Sequence, residues 1–117
     1  MANPNLLSLT TVTGKTGVQA VTTSATAIVE NAAASGKLIK ITSLVISNVD
    51  GTAAADITVD VYRSSTAYRL ASTVSIPEDA SLDLINKTVY LEEGDSLRLT
   101  ASANSYLEAV CSYEEVS

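Results

Sequence analysis

From Gly17 to the C-terminus, apolar and polar residues alternate in short runs, and turn-forming residues interrupt them about every ten positions. Ile57, Val59 and Val61 alternate with Thr58, Asp60 and Tyr62, the period of a strand buried on one face. Leu97, Leu99 and Ala101 repeat the pattern against Arg98 and Thr100, and Leu82 and Leu84 flank Asp83. Val18, Ala20 and Thr22 form the first predicted strand, and Ala25 to Asn31 the second. Residues 31–36 form either a loop or one helical turn, too short to be stable alone.

Leu38 to Asn48 is the longest apolar run, and its parity changes midway. Ile39 and Ile41 share one face, whereas Leu44 and Ile46 fall on the other. A bulge near Thr42-Ser43 brings both pairs to one core; alternatively the strand is buried on both sides. Asp50-Gly51 is a turn signal. Ser64-Ser65-Thr66 predicts a hairpin joining the Ile57 strand to Tyr68–Val74, with Tyr62 and Tyr68 facing each other across it. Further turns fall at Pro77-Glu78-Asp79, at residues 92–95 and at Asn104-Ser105. They leave short strands at Val89–Leu91 and from Leu107 to about Glu114.

The resulting expectation is an all-β chain: an antiparallel β-sandwich, jelly-roll-like or Ig-like, of eight or nine short strands. Residues 1–16 are Thr/Ser-rich and broken by Pro4 and Gly14, which reads as an extended N-terminal arm before a sandwich domain at 17–117. Leu6, Leu7 and Leu9 in that arm are candidate contacts with a neighbouring subunit, as are Tyr62 and Tyr68.

Composition sharpens this reading. The 117 residues include no Phe, Trp or His, so Val, Ile, Leu and Ala must fill the core, and five Tyr are the aromatics. A net charge of −6 with no Lys/Arg cluster disfavours nucleic acid and anionic lipid as partners. No run approaches the roughly 20 apolar residues of a membrane helix, and the start lacks the basic and apolar pattern of a signal peptide. The expected product is soluble and made in a cytoplasm.

Candidate chemistry is sparse. Without histidine, Ser-His-Asp and Cys-His arrangements are excluded, and zinc or copper sites lose their usual ligands. Cys111 lies in an apolar run and reads as a buried small hydrophobe. Carboxylates gather at Glu78-Asp79, at Glu92-Glu93 with Asp95, and at Glu114-Glu115. Such groups can serve glycoside hydrolysis or calcium binding, but between strands they read first as solvated corners. No catalytic residue, cofactor or metal is expected.

The stretch from Ile46 to Tyr62 (ISNVDGTAAADITVDVY) resembles small virion structural proteins of tailed bacteriophages, the marine and cyanobacterial phages in particular. Tyr90 to Ser102 (YLEEGDSLRLTAS), followed by Cys111-Ser112-Tyr113-Glu114-Glu115, carries the same resemblance, which extends from about Lys37 to the C-terminus. It implies a β-sandwich located in the virion, most readily a capsid decoration or cement protein. Such a protein would self-associate as a homo-oligomer and bind major capsid or tail and neck proteins. A neck, tail or baseplate component, or a receptor- or carbohydrate-binding module, is the alternative. The resemblance brings no active-site residues with it.

Overall fold

A computed structural model describes residues 3–117. Nine strands form two antiparallel sheets: β1 Val12–Ala20, β2 Thr26–Glu30, β3 Leu38–Asn48, β4 Ala55–Arg63, β5 Thr66–Ile76, β6 Ser81–Asp83, β7 Val89–Leu91, β8 Ser96–Ala101 and β9 Leu107–Val116. One sheet runs β1-β9-β3, with β6 and β7 both pairing with the far side of β3; the other runs β2-β8-β4-β5. If β6 and β7 are taken as one interrupted strand, this is the strand order of an eight-stranded jelly roll. The order decides between the two sandwich types that the sequence left open.

The predicted bulge in β3 is present. Ile41 pairs with Tyr113 and Ser43 with Ser112, so Thr42 is the extra residue; its exposed hydroxyl donates to the Ser112 carbonyl at 3.0 Å. Ile39, Ile41, Leu44 and Ile46 consequently all face inward and are no more than 2% exposed. Opposite them lie Ile57, Val59, Leu97 and Leu99 from the second sheet, also fully buried. The core is thus closed mainly by aliphatic side chains, with Cys111 among them and Tyr106 and Tyr113 packed against its margin, since such residues interdigitate across two twisted sheets.

Two sequence expectations need correction. The first sheet begins at Val12, so residues 12–16 of the predicted arm are strand. Gly14 and Gly17 resembled turn signals, but Gly17 is needed for close approach: a Cβ there would meet the Ile28 carbonyl oxygen at 3.3 Å. The β4–β5 hairpin exists, but Val61 is the partner of Tyr68, and Tyr62 pairs with Ala67. The turn takes only two residues, Ser64 and Ser65, both at positive φ (51° and 62°), the geometry favoured in tight hairpins. That register places Tyr62 and Tyr68 on opposite faces of the sheet.

Candidate interaction surface

A two-layer sandwich has four lateral edges, and an edge strand with unpaired N–H and C=O groups invites pairing unless it is blunted. Three of the four are blunted. The β6 and β7 strands have three residues each and are separated along β3. Strand β2 has five residues and a register shift between Ala27 and Val29. Strand β5 is long but doubly irregular: Asp60 pairs with Arg69, Val59 with Ala71 and Ile57 with Val74, so an extra residue is inserted at two places. Thr73, at φ 47° within the second irregularity, donates its N–H to the Thr58 hydroxyl at 3.1 Å.

Strand β1 has none of these features. Its nine residues pair with β9 in unbroken register from Val12↔Val116 to Ala20↔Glu108. Just beyond its ends, Thr11 and Ser117 exchange both backbone bonds (3.0 and 2.9 Å), and Val21 N–H donates to the Leu107 carbonyl at 2.9 Å. In an antiparallel ladder, bonded and non-bonded pairs alternate. Thr13, Lys15, Gly17 and Gln19 therefore bond to β9, while the N–H and C=O of Val12, Gly14, Thr16, Val18 and Ala20 point away from the sheet. Among the described residues, no hydrogen bond is made by these outward backbone groups.

The side chains of Val12, Thr16, Val18 and Ala20 line the outer face, with Gly14 open between them. Val18, 74% exposed, lies in one cross-strand row with Val110 and the half-buried Val45. A shallow depression of about 340 Å³, lined by Val18, Gln19, Ala20, Glu108, Ala109 and Val110, adjoins the row. The next row, Thr16–Ser112–Ser43, is uncharged. Val12, at the start of β1, is also exposed.

The arm leucines lie in the segment preceding β1. Leu7 is 95% exposed, Leu6 about half exposed and Leu9 half-buried. The segment is tethered at both ends: Asn3 Nδ2 donates to Glu92 Oε1 at 2.6 Å, and Thr10 N–H to the Ser117 carbonyl at 2.8 Å. Tyr62 sits on the outer face of the second sheet beneath the Arg98 guanidinium, 3.9 Å from the ring centroid. Arg98 in turn donates to both oxygens of the buried Asp60, at 2.9 and 3.3 Å. Tyr68, 60% exposed, instead borders an open cleft of about 350 Å³ with Val61, Arg63 and Tyr90. The register thus puts the two tyrosines on opposite faces of their sheet rather than in one patch.

The acidic turns are used internally. Arg63 donates to Asp95 through Nε (2.8 Å) and Nη2 (2.5 Å), and to Glu92 Oε2 at 2.7 Å. Asp95 is buried and also accepts the Glu92 N–H at 2.9 Å. Its carboxyl is held below the usual carboxylate range, chiefly by the Arg63 hydrogen bonds. Glu93 accepts the Gly36 N–H at 2.7 Å, tying this turn to the loop before β3. In Glu115, burial alone would raise the carboxyl, but the hydrogen bonds and charges of Lys15 and Lys37 outweigh it and the net shift is downward. Among the described residues, no three His, Cys, Asp or Glu side chains converge as a metal site. Cys111 is wholly buried, and desolvation pushes its thiol up to about 11.

The open edge at Val12–Thr16 escaped the sequence reading because Gly14, the following Gly17 and the threonines Thr10, Thr11, Thr13 and Thr16 look like loop. Its one available signal was the spacing of Val12 and Val18, six residues apart and therefore on one face of an extended strand. No protein-family model matches the chain, and no curated protein matches it significantly.

Proposed function

We propose that the protein is a non-enzymatic structural component of a tailed-bacteriophage particle, a capsid decoration or cement subunit that binds copies of itself and other particle proteins. The observation that carries the reading is the open β1 edge. Proteins that stay alone blunt long edges, and this chain blunts three of four while leaving β1 straight, apolar on its outer face and unpaired. The exposed Leu6 and Leu7, in the segment that leads into β1, add apolar contact area of the kind subunit interfaces use. The jelly-roll order is compatible with this use, since that architecture recurs in viral capsid domains and also in lectins, though architecture alone assigns no function. The resemblance of residues 46–62 and 90–102 to phage virion proteins gives the particle its identity.

Mass spectrometry of purified particles with copy-number estimation tests the reading. Hundreds of copies per particle are expected for a decoration protein. Copies in small multiples of three or six would move it to the neck, tail or baseplate, and absence from particles would overturn the virion reading.

One feature favours a second reading, a carbohydrate-binding module. The cleft between Tyr68 and Tyr90 offers exposed aromatic surface beside Arg63 and Glu92, and sugars stack on aromatic faces while hydrogen-bonding to charged rims. A glycan array that stays blank would count against this reading.

A further inference from the structure

We infer that β1 pairs antiparallel with β1 of a second copy, around a two-fold axis through Thr16, joining two five-stranded sheets into one. The inference deepens the assembly reading above and rests on it only for the expectation that the chain self-associates.

Three observations select the partner and the register. First, the outward groups of Val12, Gly14, Thr16, Val18 and Ala20 form a regular set of donors and acceptors that only another extended strand matches in spacing. Pairing all five on each copy gives roughly ten main-chain hydrogen bonds, the number typical of a whole protein interface. Because Thr16 is the midpoint of Val12–Ala20, the register centred on it is the one that engages every outward residue.

Second, the charge of this edge does not oppose a like partner. The chain carries net −6, so two copies repel at long range, but β1 contains no acid and one base, Lys15. The register centred on Thr16 sets Lys15 opposite Gly17 of the partner. Moving the axis to Lys15 would oppose the two lysines, which is unfavourable for directly facing like charges.

Third, the exposed apolar residues acquire neighbours. In this register Val18 lies opposite Gly14 of the partner and Val12 opposite Ala20. A Cβ built on Gly14 has no atom within 4 Å, so the space beside it is open to receive the Val18 side chain. The row Val45–Val110–Val18 then ends against Gly14 of the second copy, beyond which lie Glu114 and Lys40 of that copy, and a symmetric row returns from the partner. Thr16 meets Thr16, a favourable cross-strand pair.

The test uses the full chain. In wild type, native mass spectrometry and sedimentation are expected to give twice the 12.1 kDa chain mass. Thr16→Pro removes an outward N–H that makes no bond within the chain, a position where an edge strand tolerates proline; it should yield a monomer with an unchanged far-UV spectrum. Thr16→Cys should form a disulfide-linked dimer on mild oxidation, since directly paired residues lie about 5.5 Å apart. Val12→Cys should not, because in this register the two copies of residue 12 are separated by eight strand positions, about 27 Å. The buried Cys111 leaves the wild-type chain as an unlinked control. A wild-type monomer at every concentration up to about 1 mM, a dimer that survives Thr16→Pro, or equal cross-linking at residues 12 and 16 would overturn the pairing. A monomer that is abundant in purified particles would overturn the pairing alone and leave the particle reading standing.

Discussion

Cys111 shows how completely burial controls reactivity at a single residue. Its thiol lies between Gly17 and Leu44 in the ladder, is wholly buried, and has a pKa raised to about 11 by desolvation. Since the thiolate is the reactive species, alkylating reagent at pH 7–8 should leave the native protein unlabelled and label it fully once denatured; intact-mass measurement checks both. Asn48 illustrates the opposite case, a polar residue that is buried because it is fully used. Its Nδ2 donates to the carbonyls of Ala53 and Ile76 at 3.0 and 2.9 Å, and its Oδ1 accepts the Asp50 N–H at 2.9 Å. Asn48→Ala leaves the carbonyl of the buried Ile76 without its partner and should cost about 2–3 kcal/mol, read as a lowered urea midpoint. Asn31 plays the same part for the loop before β3, through the carbonyls of Lys37 and Leu91.

At the scale of elements, one inserted residue reconciles the two parities of β3 with a single buried face. Deleting Thr42 would join Ile41 directly to Ser43 and leave Ile39, Ile41, Leu44 and Ile46 in unbroken alternation on the buried face, with the pairing to β9 unchanged. The expected outcome is a deletion variant that still unfolds in one cooperative transition in urea, and Thr42→Ser, which keeps the extra residue and the hydroxyl bonded to the Ser112 carbonyl, should unfold as wild type does. The bulge was legible in the sequence because both parities carry large aliphatics. The two irregularities of β5 were not. Leu70, Ala71, Ser72 and Thr73 include no residue that demands a bulge, and the extra positions arise only from pairing with β4. The Tyr62–Tyr68 register likewise differs by one residue from the one the sequence predicts: hairpin register follows turn length, and Ser64-Ser65 closes the turn a residue sooner than Ser64-Ser65-Thr66.

For the whole molecule, the acidic groups act as fasteners as well as surface charge. Asp95, Glu115 and Asp50 all have carboxyls lowered below their ordinary values: Asp95 chiefly by Arg63, Asp50 chiefly by the Thr52 hydroxyl, and Glu115 by Lys15 and Lys37 against the cost of burial. A lowered folded-state pKa means the unfolded chain takes up the proton first as pH drops. The associated stability is complete above the unfolded values of about 3.9 for Asp and 4.3 for Glu, and disappears as pH falls through the lower folded values. Urea midpoints should therefore be flat from pH 7 to 5 and fall steeply below about 4. Asp95→Asn should shallow that fall, because the Arg63 pairing is then absent at every pH.

Local pattern alone determined the β class, most strand positions, the aliphatic core and the lack of histidine-based chemistry, because side-chain alternation and residue chemistry are properties of neighbouring positions. Tertiary structure decided the jelly-roll order, the face on which each tyrosine lies and the fact that β1 ends the sheet unpaired. Those depend on which strands meet across long stretches of chain, and Val12–Ala20 has the same sequence whether it lies at the centre of a sheet or at its edge. Only the absence of a neighbour beyond β1 turns its backbone groups into a surface that a second strand can bind.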